Sequence, residues 1–85
     1  MMGTIAFTKH TIEQMEERGA TEAEATLAIE TGESEPARRG RTMYRKNFTF
    51  DSAWRGRHYR VKQVAAVVAG HDDKLVVVTV YVFYF

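Results

Sequence analysis

The spacing of the apolar residues changes once along the chain, near residues 33–36, and this change limits the possible folds most. Before it, apolar residues recur at helical spacing; after it, they alternate or form continuous runs, as they do in strands. Helices followed by strands favour an α+β domain. We predict a single domain over residues 1–85, with an N-terminal helical hairpin on one face of a three- to four-stranded, mainly antiparallel sheet.

Both helices carry clear end signals. Thr8 is a good N-cap for the first helix, and Gly19 ends it because glycine tolerates the left-handed conformation. Thr21 and Glu24 have the spacing of a capping box, in which each side chain bonds an amide at the start of the second helix. Gly32 ends that helix.

Three strands are predicted, over Thr42–Phe50, Arg57–Ala69 and Leu75–Phe85. Met2–Phe7 is a candidate for a short edge strand. In the last strand the even positions from Val76 to Tyr84 are nearly all β-branched, so we expect that face to be buried. The odd positions, which include Thr79 and Tyr81, then face outward.

Composition excludes several classes of protein. The chain has no cysteine, which excludes disulfides and thiolate metal sites. Its longest apolar run, Leu75–Phe85, is about half the roughly 20 residues that a membrane-spanning helix needs. The N-terminus lacks the pattern of a secretory signal. We therefore expect a cytoplasmic protein without a membrane association.

A formal net charge of +1 conceals an uneven distribution. Residues 1–35 contain eight glutamates and two basic residues, whereas nine basic residues between Arg38 and Lys62 face only Asp51. In this basic segment cations alternate with aromatic residues, which suits phosphate contacts and base stacking. A solvated basic surface that keeps a small protein soluble is the alternative interpretation.

Two groups of residues are candidates for chemistry. If Tyr59 and Val61 point into the core, His58, Arg60 and Lys62 share an open face, which Thr79 and Tyr81 could also join. A proton carrier, cations and a phenol on one surface suit phosphodiester chemistry. The other group is a polar stripe on the first helix. Two interpretations of this stripe remain open, a solvated helix face and a functional site. Its members are His10, Gln14 and Arg18.

The chain resembles a group of small, mostly bacterial proteins of unknown function. Those proteins carry a histidine, a basic residue four positions later, a methionine and then Arg-Gly before a second capped helix, and they end on a Val-Thr-Val-Tyr-like strand. Gln14 stands here where the basic residue is usual. The matching residues are His10, Gln14-Met15, Arg18-Gly19, Thr21, Glu24, Ala28-Ile29, Gly32-Glu33 and Val78–Tyr81.

This group is distantly similar to the RelE-like ribonuclease toxins, and the similarity implies RNA cleavage on the exposed sheet face without a metal or another cofactor. We predict a small RNA-binding domain of the RelE-like type, with RNA and an acidic protein or antitoxin as partners. Metal-independent endoribonuclease activity of the toxin–antitoxin type is a further hypothesis, ranked below RNA binding. The predicted catalytic residues are His10, His58 and Tyr81. The predicted substrate-binding residues are Arg18, Arg57, Arg60 and Lys62.

Two alternatives stay open. Leu75–Phe85 is a long apolar strand that could pair with a second copy or a partner, so the chain could be a non-catalytic interaction module and a homodimer. The same cations could also serve an enzyme acting on a small anionic metabolite, which a pocket between the helices and the sheet would favour.

Overall fold

A computed structural model describes residues 4–85. Two helices and five strands follow one another along this part of the chain. Their bounds are β1 Thr4–Phe7, α1 Lys9–Arg18, α2 Glu22–Thr31, β2 Glu33–Pro36, β3 Thr42–Trp54, β4 Arg57–His71 and β5 Lys74–Tyr84. A 3-10 turn at Arg38–Gly40 joins β2 to β3.

The sheet has the strand order β1-β5-β4-β3-β2. The α+β class is confirmed, but the predicted three- to four-stranded sheet is corrected to five strands, and β1 runs parallel to β5. β2 was not predicted because Glu, Ser and Pro are poor strand formers; its pairing with Thr42–Arg45 of β3 holds it extended. The predicted edge strand is present over Thr4–Phe7, and Met2 and Gly3 lie outside the described residues.

The helix ends are those that the sequence predicts. The Thr8 hydroxyl accepts a bond from the amide of the third helical residue, and Gly19 adopts a left-handed conformation with φ of 85°. Thr21 and Glu24 form the complete capping box, and α2 ends before Gly32. Local sequence therefore defines both helices.

The core lies between the helices and one face of the sheet. α1 packs on β5, and α2 packs on β3 and β4. Small and β-branched side chains fill the space between these layers, so the helices approach the sheet closely. The buried residues of the core are Met15, Ala20, Ala25, Ile29, Val64, Ala66, Val68, Val77 and Val80. No helix among residues 4–85 has the length and apolar character needed to span a membrane.

A register shift in β4 and β5 changes the expected burial of the last strand. Val80 is fully buried and Val82 packs on the core, as predicted, but Val77 is buried in place of Val76 and Val78. The pairing skips one residue of β5 between Val67 and Val68 of β4, which is a β-bulge. Because the bulge inserts one residue, the parity of the buried positions reverses at this point.

Strand pairing defines two faces of the sheet. Directly opposite residues lie on the same face, so the core residues Ala66 and Val80 mark the helix face together with Tyr44. On the other face, called the open face below, Gln63 pairs with both Asn47 and Phe83.

Candidate functional site

Three exposed aromatic side chains stand in a row on the open face of β5. Tyr81, Phe83 and Phe85 are 43%, 50% and 58% exposed. They occupy alternate positions, so neighbouring side chains start about 7 Å apart along the strand. Large exposed aromatic residues at three consecutive outward positions are unusual on a surface that only solvates a protein. We call these three residues the aromatic row.

The surface beside the aromatic row is partly polar. Ala65, opposite Tyr81 and Arg45, is small and buried, so neighbouring side chains cover it at that level. At the next level, the Gln63 amide nitrogen donates to the Asn47 side-chain oxygen over 2.8 Å. The row is therefore bordered by side-chain amides that have hydrogen-bonding capacity for a ligand.

Arg18 from α1 reaches the first residue of the row. Its guanidinium donates to the Val80 carbonyl oxygen over 2.8 Å and lies 5.6 Å from the centre of the Tyr81 ring. β1 pairs with β5 only as far as Val77, so this edge of β5 is open to α1. The predicted site residues Arg18 and Tyr81 are thus brought together, and Arg18 fixes a cation against the aromatic ring.

Two further arginines lie at the same end of the row. Arg38 and Arg41 belong to the corner between β2 and β3, and they line an open groove of about 670 Å³ that Tyr81 and Thr79 also line. In residues 4–85 neither arginine forms a salt bridge. Their charges are therefore available to a ligand.

The α1 stripe does not form one solvated surface. Thr11 is fully buried, and its hydroxyl donates to the Val77 carbonyl oxygen. Arg18 lies within about 20° of Thr11 around the helix. His10 is exposed and contacts Gln14 through side-chain nitrogens 3.2 Å apart. Arg18 is eight positions after His10 along the helix, a rise of about 12 Å. His10 therefore stands apart from the Arg18–Tyr81 pair.

The structure corrects the predicted position of Lys62. It pairs with Phe48 and Tyr84 on the helix face, and it is only 7% exposed. Its ammonium group contacts the Glu24 carboxylate at 2.8 Å and donates to the Gly19 carbonyl oxygen over 2.9 Å. The expectation that Lys62 shares a face with Tyr81 is wrong, because the core residues of β4 have the same parity as Lys62.

The last carbonyl groups of α1 explain this position of Lys62. A helix end leaves carbonyl oxygens without partners, and three side chains from the sheet region supply donors here. They are Arg55 for Glu17, Tyr84 for Arg18 and Lys62 for Gly19. Burial raises the pKa of the Tyr84 phenol, the Glu24 carboxylate raises it further, and Arg55 acts in the opposite direction. These contacts connect the end of α1 to the sheet.

The remaining predicted residues lie near the far end of the β3–β4 hairpin. His58 contacts Asp51 at 3.2 Å, and both side chains are exposed. Arg57 stacks on Tyr59, 5.7 Å from the ring centre. His58 is seven positions from Ala65, the partner of Tyr81, which is about 23 Å of strand. The two predicted histidines therefore do not meet at Tyr81.

Arg60 differs from its neighbours in the hairpin because its backbone adjoins the last residue of the aromatic row. The amides of Arg60 and Val61 both donate to the Phe85 carbonyl oxygen, over 3.1 and 2.8 Å. The exposed Arg60 is thus held beside Phe85 by its backbone, whereas Arg18 places its guanidinium against the Tyr81 ring.

Sequence reasoning missed four residues of this surface. Phe83 and Phe85 continue the outward parity of Thr79 and Tyr81, so alternation alone could have identified them. Arg38 and Arg41 were recognised as basic, but only the fold of the β2–β3 corner places them beside Tyr81. Within residues 4–85 no group of three or more His, Asp or Glu side chains is arranged to hold a metal ion.

Comparison with known proteins identifies a family. The model of a family described as a domain of unknown function, DUF4258, matches residues 7–82. Searches of curated proteins and of solved structures gave no significant match. The matched segment includes both helices, the arginine corner and the aromatic row as far as Tyr81.

Proposed function

The chain belongs to the DUF4258 family of domains of unknown function, and we propose that it binds single-stranded RNA across the open face of its sheet. One observation carries the proposal: the aromatic row is exposed on a sheet face, and the Arg18 guanidinium lies against its first ring. RNA is the substrate class implied by the predicted similarity to RelE-like toxins.

The row has the form of a stacking platform. Each aromatic ring offers a face for one base, and stacking contributes about 1–3 kcal/mol per base in single-strand binders. Bases in a duplex are already stacked on each other, so only an unpaired strand can use such rings. The amides of Asn47 and Gln63 lie where the edges of stacked bases would be within reach.

The charges also favour this face. Arg18, Arg38 and Arg41 lie at the Tyr81 end of the row, whereas most glutamates lie on the two helices of the other layer. Arg45 is neutralised by Glu35 at 3.1 Å and contributes less. A phosphate backbone is therefore attracted to the open face and repelled by the helix layer. In this proposal the protein is cytoplasmic, and an acidic partner that covers the open face would compete with RNA.

Fluorescence anisotropy with a labelled single-stranded RNA of eight nucleotides tests the proposal. We expect an affinity that falls steeply with salt and a loss of about tenfold or more in a Tyr81→Ala variant. Leu27→Ala is the matched control, because Leu27 on α2 and Tyr81 are both 43% exposed. No binding by the wild-type chain, or equal losses in both variants, would refute the proposal.

RNA cleavage is a second candidate function, favoured by the contact between Arg18 and Tyr81. A phenol beside a fixed cation can donate a proton to a leaving oxygen while the cation stabilises the negative charge that develops on phosphate. Chelator-resistant cleavage that Tyr81→Phe abolishes, while RNA affinity is kept, would support it. Cleavage that survives in Tyr81→Phe would assign the activity to another group or a contaminant.

A further inference from the structure

The groove beside Tyr81 has two chemically different parts. Its floor is apolar, with Met43 and Val67 on the open face and Val78 at the β-bulge of β5. Its other side is lined by Arg38 and Arg41, which bring two positive charges to the groove. A ligand that fits both parts has a flat, weakly polar ring and a doubly or singly charged anionic group, which are the two halves of a nucleotide.

The arginine side of the groove is held by a short, bonded corner. The Ala37 amide donates to the Arg41 carbonyl oxygen over 2.8 Å, and the Arg41 amide donates to the Arg38 carbonyl oxygen over 3.2 Å. Between them Arg39 has a φ of 60°, a left-handed conformation that costs a residue with a side chain about 1 kcal/mol. The corner thus has a defined shape that places Arg38 and Arg41 beside the groove while Arg39 does not line it.

The size and position of the groove agree with one nucleotide. The groove has a volume of about 670 Å³ and is open to solvent. It therefore has room for a single nucleotide while the strand continues outward. Tyr81 belongs to both the groove and the aromatic row. A strand that has one nucleotide in the groove can therefore place its next bases on the row.

We propose that this groove is a nucleotide-binding subsite, in which a base lies on Met43 and Val67 and its phosphate lies between Arg38 and Arg41. The inference rests on the proposed function, because it assigns to the groove one nucleotide of the bound strand. It also makes a separate claim: a free nucleoside monophosphate binds here without help from Phe83 or Phe85.

The test uses NMR titration of the full chain with adenosine 5′-monophosphate, with the Met43 methyl group and the Thr79 amide as reporters. We expect saturable shifts of both signals and affinities about tenfold weaker or more for adenosine alone and for inorganic phosphate alone, because each lacks half of the contacts. Arg41→Gln should weaken the nucleotide about tenfold. Arg39→Gly is the matched control: it removes the same charge from the corner and keeps the left-handed conformation, so it should change the affinity less than twofold.

Three outcomes separate this inference from the proposed function. RNA binding without nucleotide-induced shifts at Met43, or with equal effects of Arg41→Gln and Arg39→Gly, overturns the subsite and leaves the RNA proposal standing. Nucleotide binding in the groove without binding of the eight-nucleotide RNA supports the subsite and overturns the RNA proposal, making the ligand a free nucleotide. Binding of phosphate as tight as that of the nucleotide overturns the role of the apolar floor and with it the inference.

Discussion

The ammonium group of Lys62 lies between the Glu24 carboxylate and the Gly19 carbonyl oxygen, under the end of α1. The Glu24 side chain is itself 21% exposed and also accepts the Thr21 amide bond of the capping box. One lysine thus connects β4 to the caps of both helices. Its charge serves folding, and it cannot reach a ligand on the open face.

We predict that Lys62→Met lowers the free energy of unfolding by about 2 kcal/mol, because it leaves a half-buried carboxylate and a carbonyl oxygen without their donor. Adding Glu24→Gln should cost less than the sum of the two single changes, since the pair acts as a unit. Urea unfolding measures both. RNA affinity measured on folded protein should change less than twofold. A tenfold loss of affinity would show that Lys62 contributes to RNA binding and would contradict the prediction.

The Tyr84 phenol makes a pH-dependent contribution to the stability of the fold. Burial raises the pKa of its phenol, so the folded chain holds this proton more tightly than the unfolded chain does. The resulting stabilisation is complete below the ordinary tyrosine pKa of about 10 and is lost as the pH rises through the raised folded value. Tyr84→Phe also loses the bond to the Arg18 carbonyl oxygen, about 1 kcal/mol.

We therefore expect wild type to be more stable than Tyr84→Phe near pH 8, and the difference to shrink as the pH is raised above about 10. Urea unfolding of the two proteins across this range isolates Tyr84, because the other tyrosines titrate in both. A difference that stays constant would show that the folded state does not shift this proton equilibrium.

At the scale of elements, the joint between α1 and α2 depends on Gly19. Its φ of 85° suits glycine, and a Cβ there would meet the Tyr84 hydroxyl and approach the Trp54 ring to 2.9 Å. Gly40 has a similar φ of 71°, but nothing lies within 4 Å of its added Cβ. The two glycines thus have the same backbone requirement and different surroundings.

Replacing each glycine by alanine separates these two costs. Gly40→Ala should destabilise by about 1 kcal/mol, the cost of the left-handed conformation alone. Gly19→Ala should cost at least about 1 kcal/mol more, because the Tyr84 and Trp54 side chains must move. Thermal unfolding of both variants gives the comparison. Equal losses of stability in the two variants would show that the Tyr84 and Trp54 side chains move at no cost in free energy.

The elements also show why part of the fold could be predicted and part could not. Helix ends depend on local bonds, so Thr8 and the Thr21 capping box could be identified from a few residues. The inward face of β4 could not, because Val64–Ala69 is apolar at every position and carries no parity signal. Its parity is set by packing against α2, which is a tertiary feature, as is the bulge at Val78 that reverses the parity of β5.

The candidate site divides in the same way. Alternation in β5 correctly placed Tyr81 outward. Grouping His58 with Tyr81 was wrong because alternation gives the face of a residue but not its distance along β4. Arg38 and Arg41 line the same groove as Tyr81 because β2 pairs with β3 and the corner between them lies beside that groove. Contacts between distant segments therefore decide which cations share a surface.

For the whole molecule, the charge asymmetry of the sequence becomes an asymmetry between layers. The glutamate-rich N-terminal segment forms the helices and the edge strand β2, and the basic segment forms β3 and the first part of β4. Glu33, Glu35 and Pro36 on β2 discourage pairing at that edge of the sheet. At the other side of the sheet, Thr11 and Arg18 bond the Val77 and Val80 carbonyl oxygens of β5. Strand pairing between copies is hindered at both places.

This arrangement predicts a monomer whose open face is free, in contrast to a homodimer formed through the C-terminal strand. Sedimentation velocity at increasing concentration should show one species with the mass of a single chain, and one chain per eight-nucleotide RNA in the complex. A concentration-dependent dimer that Phe83→Ser with Phe85→Ser dissociates would identify the aromatic row as a protein interface. RNA and a second copy would then compete for the same exposed rings, and the wild-type dimer would fail to bind RNA.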